Sequence, residues 1–382
     1  MTIKPTMRRI LVVTEYANES QNSTGYFWEK AIKKLTEDGF QVEVITLEKS
    51  TKDSVRISVF GRALIKFKVA LKLAYLTLSR VKKSDIVFSG TNPELLLIII
   101  ALLRLIMGFR WYVLVHDVFP ENLVPASILS SKNIIYHGLK LVFDWVYAQA
   151  DILFVIGRDM KDLVERKTGN STQIEFIHNW VDSKRITPIK KNESKIIQEL
   201  KLEDKVVFQF FGNIGRVQGI KNVLKAIDFV TSKKAAFIFI GIGVNSNLIV
   251  DYQKRNPDKC IYYYGNLPQS ENNAGLAACD VALIPLAAGM CGLGVPSKAY
   301  FSMAADRPIL AVMDVGSEVT TMIEEEDIGW TCHSNDPRAL AKKIDEICQY
   351  DLSVYSGKIR NLALTKYSEA VALNKLSRCI ST

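Results

Sequence analysis

The chain has 382 residues, of which 48% are hydrophobic and 23% are charged, and this composition is typical of folded globular proteins and excludes disordered or low-complexity ones. At roughly 150 residues per domain, the length predicts about two to three domains. The 49 lysines and arginines exceed the 40 aspartates and glutamates, giving a formal net charge of +9. This charge favours anionic partners, but alone it does not separate phosphates from acidic membranes or nucleic acid.

The first half of the chain alternates short apolar segments with helical ones. The amino-terminal apolar run is too short for a signal peptide and instead predicts a strand over residues 9–14. A helix is predicted over 26–38, closed by Gly39, and a strand over 42–47. Further strands are predicted at 86–89, 111–115 and 152–156. Such alternation predicts a parallel sheet with helices on both faces.

Two stretches of the first half carry unusual patterns. Residues 51–83 contain nine basic residues and one acid, Asp53. Apolar residues with helical spacing lie between these charges, so residues 62–83 are predicted to form a basic amphipathic helix that rests on an anionic membrane surface. The alternative is a core-packed helix with a solvated lysine edge. Residues 95–107 are apolar except for Arg104 but fall short of the ~20 residues of a spanning helix, which predicts a buried or membrane-surface helix.

The second half repeats the alternation after a polar stretch at 183–203, which is predicted to be a linker. Strands are predicted at 206–211, 236–240, 260–264 and 281–284, with a helix at 222–231. The expected domains are therefore 1–183 and 184–364. The six cysteines all lie in this half with no zinc or redox spacing, so we expect reduced thiols in a cytosolic protein.

A glycine-rich turn at residues 289–298 follows the strand at 281–284 and precedes an apolar helix at 299–305. Such a turn presents backbone N–H groups and the positive end of a helix dipole, which together bind phosphate. Ser297 adds a hydroxyl and Lys298 a positive charge, beside Gly292, Gly294 and Val295. The alternative is a loop whose glycines serve only a tight turn.

A second glycine turn, residues 210–219, follows the strand at 206–211 and contains Gly212, Asn213, Arg216 and Gln218. The carboxyl ends of parallel strands meet at one edge of a sheet, so both turns are expected to converge on one ligand. Two phosphate-binding turns in one domain predict a nucleotide diphosphate. The pair of glycines at 241 and 243 is interpreted as an ordinary turn.

In the first domain, His116, Asp117 and Glu121 follow the strand at 111–115. A histidine and two carboxylates at the carboxyl end of a strand are expected to face a ligand cleft, and we predict that these three residues are catalytic. The alternative is a structural histidine.

Four segments of the second half resemble family 4 glycosyltransferases with the GT-B fold, an α/β fold of two Rossmann-like domains that face each other across a cleft. The segments, which keep the family's order and spacing, are residues 211–219, 265–268, 278–282 and 295–310. The likeness is greatest to the branch that builds bacterial O-antigen, capsule and exopolysaccharide. In the first half a weaker likeness extends from the Gly25 loop to Asn179 and Asp182.

This resemblance implies retaining transfer of a sugar from a nucleotide-diphosphate sugar, with a UDP-sugar favoured, to a lipid-linked saccharide. It implies no metal or other cofactor, a cytoplasmic enzyme peripheral to the inner membrane face, and a carboxyl-terminal helix at about 365–382 that packs back on the first domain. His116 would approach the donor sugar. The donor would be bound by Gly25, Gly212, Asn213, Arg216, Gln218, Leu267, Pro268, Gly292, Gly294, Val295, Ser297 and Lys298.

The sequence departs from the family at its charged positions. Leu293 and Phe301 stand where typical members carry two glutamates, and Asn213 and Gln218 stand where an arginine and a lysine usually clamp the donor phosphates. Arg216 and Lys298 remain as cations.

Other classes stay open. A non-hydrolysing UDP-sugar 2-epimerase shares the fold, and a catalytically silent nucleotide-sugar-binding protein would explain the missing glutamates. A dehydrogenase is disfavoured because no Gly-x-Gly-x-x-Gly follows the first strand. Nucleic acid is disfavoured as a partner because aliphatic residues, rather than stacking aromatics, separate the basic ones.

Overall fold

The computed structural model describes residues 8–47 and 59–381, and the chain divides into two compact units. Unit 1 comprises Met1–Glu121, Ser130–Ile177 and Leu373–Thr382, and unit 2 comprises Asn122–Leu129 and His178–Ala372. The sequence placed the domain boundary after residue 183 and residues 122–129 in the first domain. Residues 51–58 of the predicted basic stretch, and the side chain of Arg62, lie outside the described part of the chain.

Unit 1 is a six-stranded parallel sheet in the order β2-β1-β3-β4-β5-β6. Its strands are β1 (Arg9–Val13), β2 (Gln41–Ile45), β3 (Ile86–Gly90), β4 (Arg110–Val115), β5 (Ile152–Val155) and β6 (Gln173–Phe176). Its helices are α1 (Ser23–Glu37), α2 (Val59–Arg80), α3 (Glu94–Met107), α4 (Ile134–Ala148) and α5 (Arg158–Thr168). Strands β1, β3, β4 and β5 are buried almost throughout, as expected for a sheet covered on both faces.

Unit 2 is a second six-stranded parallel sheet, in the order β12-β11-β10-β7-β8-β9. Its strands are β7 (Val206–Phe211), β8 (Ala235–Ile240), β9 (Ile261–Gly265), β10 (Val281–Pro285), β11 (Ile309–Val312) and β12 (Gly329–Cys332). The helices that follow α5 in the chain are α6 (Lys195–Leu200), α7 (Ile220–Phe229), α8 (Ser246–Arg255), α9 (Asn272–Ala277), α10 (Lys298–Ala304), α11 (Glu318–Glu326), α12 (Pro337–Ile347), α13 (Lys358–Thr365) and α14 (Glu369–Ser381).

The prediction of parallel α/β architecture is confirmed, and each predicted strand is present to within about two residues. Three short strands, β6, β11 and β12, were missed. The predicted stop of the first helix is also confirmed, because Gly39 adopts φ +90° and its N–H donates to Thr36 O.

The prediction of a linker at residues 183–203 is wrong for its second half. Helix α6 buries Ile196 and Ile197 in a core cluster with Val207 of β7. The earlier part is held by Arg360 of α13, which donates to Ile186 O at 2.6 Å. The prediction failed because this stretch is mostly polar. Two apolar residues, Ile196 and Ile197, are nevertheless sufficient to pack the short helix α6 into the core.

The last turns of α14 belong to unit 1. Ser377 Oγ donates to Asp38, and Arg8 Nη1 donates to Ser381 O at 3.1 Å. Among the described residues, no helix combines the length and apolar character required to cross a bilayer.

Candidate functional site

Lys298 and Gln218, eighty positions apart in the sequence, meet at the carboxyl edge of the unit 2 sheet. Lys298 Nζ donates to Gln218 Oε1 at 2.6 Å and lies 4.7 Å from the centre of the Phe210 ring. Burial lowers the pKa of Lys298 to about 8. An ammonium has three donors, and Gln218 accepts one, so this cation is placed to bind an anion.

Glycines allow the loops after β7 and β8 to lie against this lysine and against each other. Gly212 has φ +132°, and a Cβ there would stand 2.8 Å from Lys298 Cε. A Cβ on Gly241 would stand 1.9 Å from Gly212 O, and one on Gly243 would stand 2.3 Å from Ile214 O. Gly241 and Gly243 therefore form part of the site wall, and their interpretation as an ordinary turn missed this contact because it lies between two loops that are distant in sequence.

Asn213 and Arg216 are exposed on the same glycine turn as Gln218. A Cβ on Gly215 would stand 3.2 Å from Asn213 Nδ2, so the asparagine folds back over its own loop. Arg216 lines a cavity whose lining does not include Lys298 or Gln218. The structure thus brings Gln218 to Lys298 and places Arg216 in a different environment.

The loop before α10 is fixed by Asn179, whose Nδ2 donates to Val295 O at 3.2 Å. Gly292 has φ +76°, and Ser297 is the N-cap residue of α10, although its hydroxyl makes no capping hydrogen bond. Leu293 is 5% exposed, so an apolar side chain is buried where the family typically carries a glutamate. The loop near Gly294 is thus held by the Asn179 amide, and its start is held by Asp314 Oδ2, which accepts from Gly289 N at 2.7 Å.

Leu267 and Phe211 form an apolar shelf beside the site. A Cβ on Gly275 of α9 would stand 2.9 Å from Leu267 Cδ1 and 3.0 Å from Phe211 Cε1, so glycine makes room for both side chains. Pro268 is exposed, and its carbonyl accepts from Glu271 N at 2.9 Å.

In unit 1, His116 and Asp117 directly follow β4. The His116 ring packs 5.8 Å from the Phe27 ring of α1, and burial lowers the pKa of His116 to about 4. Burial, assisted by the negative charge of Glu94, raises the pKa of Asp117 to about 6. At neutral pH the imidazole is uncharged, whereas the carboxyl group lies close to its titration range.

The turn after Asp117 is braced from two sides. Tyr147 OH donates to Asp117 O at 3.5 Å and accepts from Phe119 N at 3.4 Å. Both carboxylate oxygens of Glu121 accept from the buried Lys167 Nζ, at 2.7 and 2.9 Å. Glu121, which the sequence analysis grouped with the catalytic residues, is therefore placed in an ion pair that anchors this turn.

Gly25 lies in the first turn of α1, where its N–H donates to Asn22 Oδ1 at 2.9 Å. A Cβ there would stand 2.1 Å from Asn18 O, so only glycine permits this close approach of the preceding loop. Its contact with a donor stays a prediction. Within residues 8–47 and 59–381, no group of three or more histidine, cysteine or acidic side chains is arranged to hold a metal ion.

The two parallel α/β units carry these polar groups at the carboxyl edges of their sheets, and this is the architecture of GT-B glycosyltransferases. Family models match both halves: "Glycosyltransferase Family 4" at residues 27–185 and "Glycosyl transferases group 1" at residues 205–350. The chain is 46% identical over 399 residues to the probable glycosyltransferase WbjE of Pseudomonas aeruginosa, covering 98% of each chain. The protein therefore belongs to the group 1/family 4 glycosyltransferases.

Solved structures support the same fold at low sequence identity. Sucrose-phosphate synthase from Thermosynechococcus elongatus matches with a TM-score of 0.76 at 13% identity, covering 98% of both chains. Anabaena HepE, solved in complex with UDP, matches with a TM-score of 0.71 at 13% identity, covering 98% of this chain and 100% of that one. The lipopolysaccharide-biosynthesis glycosyltransferase WaaG matches with a TM-score of 0.68 at 12% identity, covering 97% of this chain and 99% of that one.

The predicted GT-B fold and the assignment to the glycosyltransferases are confirmed. The protein is thus an enzyme of glycosyl transfer, in place of the epimerase, the dehydrogenase and the silent binding protein that the sequence left open.

Proposed function

We propose that the protein is a retaining glycosyltransferase that moves a sugar from a nucleotide-diphosphate sugar, favouring UDP, to a lipid-linked saccharide during synthesis of a bacterial surface polysaccharide. The observation that carries this proposal is the meeting of Lys298 with Gln218 beside the glycine turns of β7 and β8. Support for the donor comes from HepE, which has been solved with UDP and with UDP-glucose.

Lys298 supplies the positive charge that the donor diphosphate requires. Asn213 and Gln218 stand where an arginine and a lysine usually bind the donor phosphates, and Lys298 compensates for the loss of these two charges. Gln218 fixes the position of the Lys298 ammonium. The loop of Gly292, Gly294, Val295 and Ser297 supplies backbone and hydroxyl donors to the same diphosphate. The shelf of Leu267 and Phe211, with Pro268, lies against the nucleobase.

In the reaction, the bond from the anomeric carbon to the β-phosphate oxygen breaks and a bond to the acceptor oxygen forms on the same face of the sugar. The acceptor's proton passes to the departing phosphate oxygen. Lys298 stabilises the charge that grows on this phosphate, and this electrostatic term lowers the barrier without a metal. The neutral His116 imidazole and the Asp117 carboxylate hold sugar hydroxyls in the reactive position.

A thermal-unfolding panel with UDP, GDP and dTDP tests the donor, because a ligand that binds only the folded state raises the unfolding temperature. We expect the largest rise with UDP. The UDP-sugar that gives turnover is then used with a lipid-diphosphate saccharide, and nuclear magnetic resonance of the product should show the donor's anomeric configuration. An inverted product would overturn the retaining mechanism, and loss of turnover with EDTA would overturn the metal-free one.

The acceptor proposal is supported by an apolar surface on three neighbouring helices of unit 1. On α2 the side chains of Leu71 and Tyr75 are 47% and 70% exposed, and Lys68 and Lys72 are exposed beside them. The same surface continues on the adjoining α3 and α4. Its exposed apolar members there include Leu102, Leu105 and Ile106 on α3 and Ile134, Ile135, Leu141 and Trp145 on α4.

We propose that this surface rests on an anionic membrane, which places the enzyme at the inner face of the cytoplasmic membrane. Exposed aliphatic and aromatic side chains beside lysines match the boundary between acyl chains and anionic headgroups. Residues 59–84 contain no acid, so within this segment nothing opposes the attraction. The core-packed alternative explains Ala70 and Leu73, which are buried, but not the exposed apolar side chains.

Sedimentation with vesicles tests the membrane proposal. The protein should bind vesicles that contain anionic lipid, bind less at high salt, and bind poorly to neutral vesicles. Each of Lys68→Glu and Lys72→Glu should weaken binding at least fivefold, on the basis of about 1 kcal/mol per lysine. Lys225→Glu, in unit 2, serves as the control. Equal binding by all variants would contradict the proposal.

A further inference from the structure

Asp314 joins the loops that follow three neighbouring strands of unit 2. It lies just beyond the end of β11, and its two carboxylate oxygens accept hydrogen bonds from two different loops. Oδ2 accepts from Gly289 N at 2.7 Å, in the loop after β10, and Oδ1 accepts from Ser334 Oγ at 2.6 Å, in the loop after β12. Hydrogen bonds to a carboxylate are stronger than those to a neutral acceptor, so the loop after β10 is firmly attached at its first glycine.

The backbone of Asp314 is itself fixed. Ser317, which is buried, donates to Asp314 O through its Oγ at 2.7 Å and through its N–H at 3.3 Å. On the other side, Met313 N donates to Cys332 O at 3.0 Å and so continues the pairing of β11 with β12. The carboxylate of Asp314 is therefore presented from an anchored turn.

The last part of the same loop is held by Asn179, which is buried and whose Nδ2 donates to Val295 O at 3.2 Å. The preceding residue, His178, stacks its ring on that of Tyr300 in α10, with 6.2 Å between the ring centres and 13° between the ring planes. One short segment of the chain therefore holds both the end of the loop and the helix that begins at Lys298.

Between these two attachments the loop contains three glycines, Gly289, Gly292 and Gly294. Glycine has more backbone freedom than any other residue, and Gly289 and Gly292 adopt φ +82° and +76°. If a ligand had to order such a loop, the lost entropy would be subtracted from the free energy of binding. A loop that is ordered beforehand presents its N–H groups to an anion without this cost.

We propose that Asp314 and Asn179 are positioning residues, which hold residues 289–298, before the nucleotide binds, in the conformation that receives the donor diphosphate. The identity of this ligand rests on the proposed function. In this role Asp314 acts through its hydrogen bonds alone, because its negative charge repels a diphosphate.

The test separates the hydrogen bonds of Asp314 from its charge. Asp314→Ala removes both acceptors and should weaken UDP binding about tenfold in titration calorimetry, with the affinity for uridine unchanged. Asp314→Asn keeps an oxygen that accepts from Gly289 N and gains an amide N–H that donates to the Ser334 hydroxyl. Its affinity for UDP should equal that of the unaltered protein or exceed it by up to about threefold, since a negative charge is lost.

Asp345 of α12 offers a matched control at the opposite edge of the sheet. Its carboxylate also joins one backbone N–H and one hydroxyl, accepting from Ser232 N at 2.8 Å and from Thr231 Oγ at 2.6 Å. These two residues lie shortly before β8, whereas residues 289–298 follow β10. Asp345→Ala should lower the unfolding temperature about as much as Asp314→Ala does, but it should leave the Kd for UDP unchanged.

Hydrogen exchange without nucleotide measures the loop itself. Peptides that cover residues 289–298 should exchange about tenfold faster in Asp314→Ala and in Asn179→Ala than in the unaltered protein. Asp314→Asn and Asp345→Ala should leave this exchange unchanged. Thermal unfolding reports whether each variant is folded, and the Asp314 variants decide the outcome if the buried Asn179 does not tolerate replacement.

Equal UDP affinity in Asp314→Ala and in the unaltered protein would overturn the positioning role and leave the proposed donor intact. A loss in Asp314→Asn as large as that in Asp314→Ala would also overturn it, because the carboxylate charge itself would then be required. If the unaltered protein binds no nucleoside diphosphate, the proposed donor is wrong and this role is wrong with it.

Discussion

The two units place side chains of different charge at the carboxyl edges of their similar sheets. Unit 2 places the ammonium of Lys298 in a partly buried setting, whereas unit 1 places a neutral imidazole, His116, next to the carboxyl group of Asp117. Burial acts on all three, lowering the pKa of Lys298 and His116 and raising that of Asp117. The shifted lysine remains charged at pH 7, but the shifted histidine does not.

This difference assigns separate tasks to the units. A fixed positive charge stabilises a diphosphate both before and during bond cleavage, so unit 2 should govern nucleotide affinity. The neutral His116 imidazole and the titratable Asp117 carboxyl group can bind sugar hydroxyls without attracting phosphate. Unit 1 should therefore govern turnover. Four measurements test this division, and they follow from the largest expected effect to the smallest.

Replacing His116 by alanine should lower kcat by about 100-fold or more, because a positioned hydrogen-bonding group near the reacting sugar is lost. The Kd for the nucleotide, measured calorimetrically, should stay within about threefold of that of the unaltered protein, since the proposed nucleotide site lies in unit 2. His137→Ala, which removes an exposed histidine from α4, is the control and should retain full turnover. Full activity in His116→Ala would make the histidine structural.

Replacing Lys298 by alanine should weaken nucleoside-diphosphate binding about 10- to 100-fold, the value of a charge-assisted hydrogen bond. The nucleoside, which has no phosphate, should bind with unchanged affinity. Titration calorimetry with UDP and uridine measures both, and Lys225→Ala controls for the loss of one positive charge. Equal losses for UDP and uridine would contradict a phosphate contact.

The affinity for the nucleotide should fall above pH 8. The pKa of Lys298 is lowered to about 8, so the ammonium is charged below this pH and is lost as the pH rises through it. Well above pH 8 the affinity should decrease by up to about tenfold per pH unit. Lys298→Arg keeps its charge over this range, and its affinity should be independent of pH. A decrease that persists in Lys298→Arg would locate the titrating group elsewhere.

The value of kcat/KM should decrease as the pH falls below about 6, because the raised pKa of Asp117 leaves its carboxyl group protonated there. His116, whose pKa is about 4, stays neutral and adds no change between pH 5 and 8. Glu94→Gln removes a negative charge that raises the pKa of Asp117 and should shift the midpoint to lower pH. An unchanged midpoint in this variant would exclude Asp117 as the titrating group.

Some candidate site residues could be predicted from the sequence because each lies in a recognisable local pattern. Lys298 and Gln218 lie in glycine turns between a strand and a helix, and His116 and Asp117 end a strand. Gly241, Gly243 and Asn179 were not found as site residues, because their roles are contacts with loops remote in sequence. The sequence also did not reveal the ion pair of Glu121 with Lys167, which is formed across forty-six positions, and the catalytic role of Glu121 stays a prediction.

The sequence alone determined the alternation of strands and helices, because apolar periodicity and glycine caps act over a few neighbouring residues. It also determined the resemblance to glycosyltransferases. Only the tertiary structure decided which of the available cations lies beside the donor loops and which lines another cavity, placing Lys298 in the first setting and Arg216 in the second. The physical reason is that burial, and with it both pKa and the partners of a charge, depends on residues brought together from distant parts of the chain.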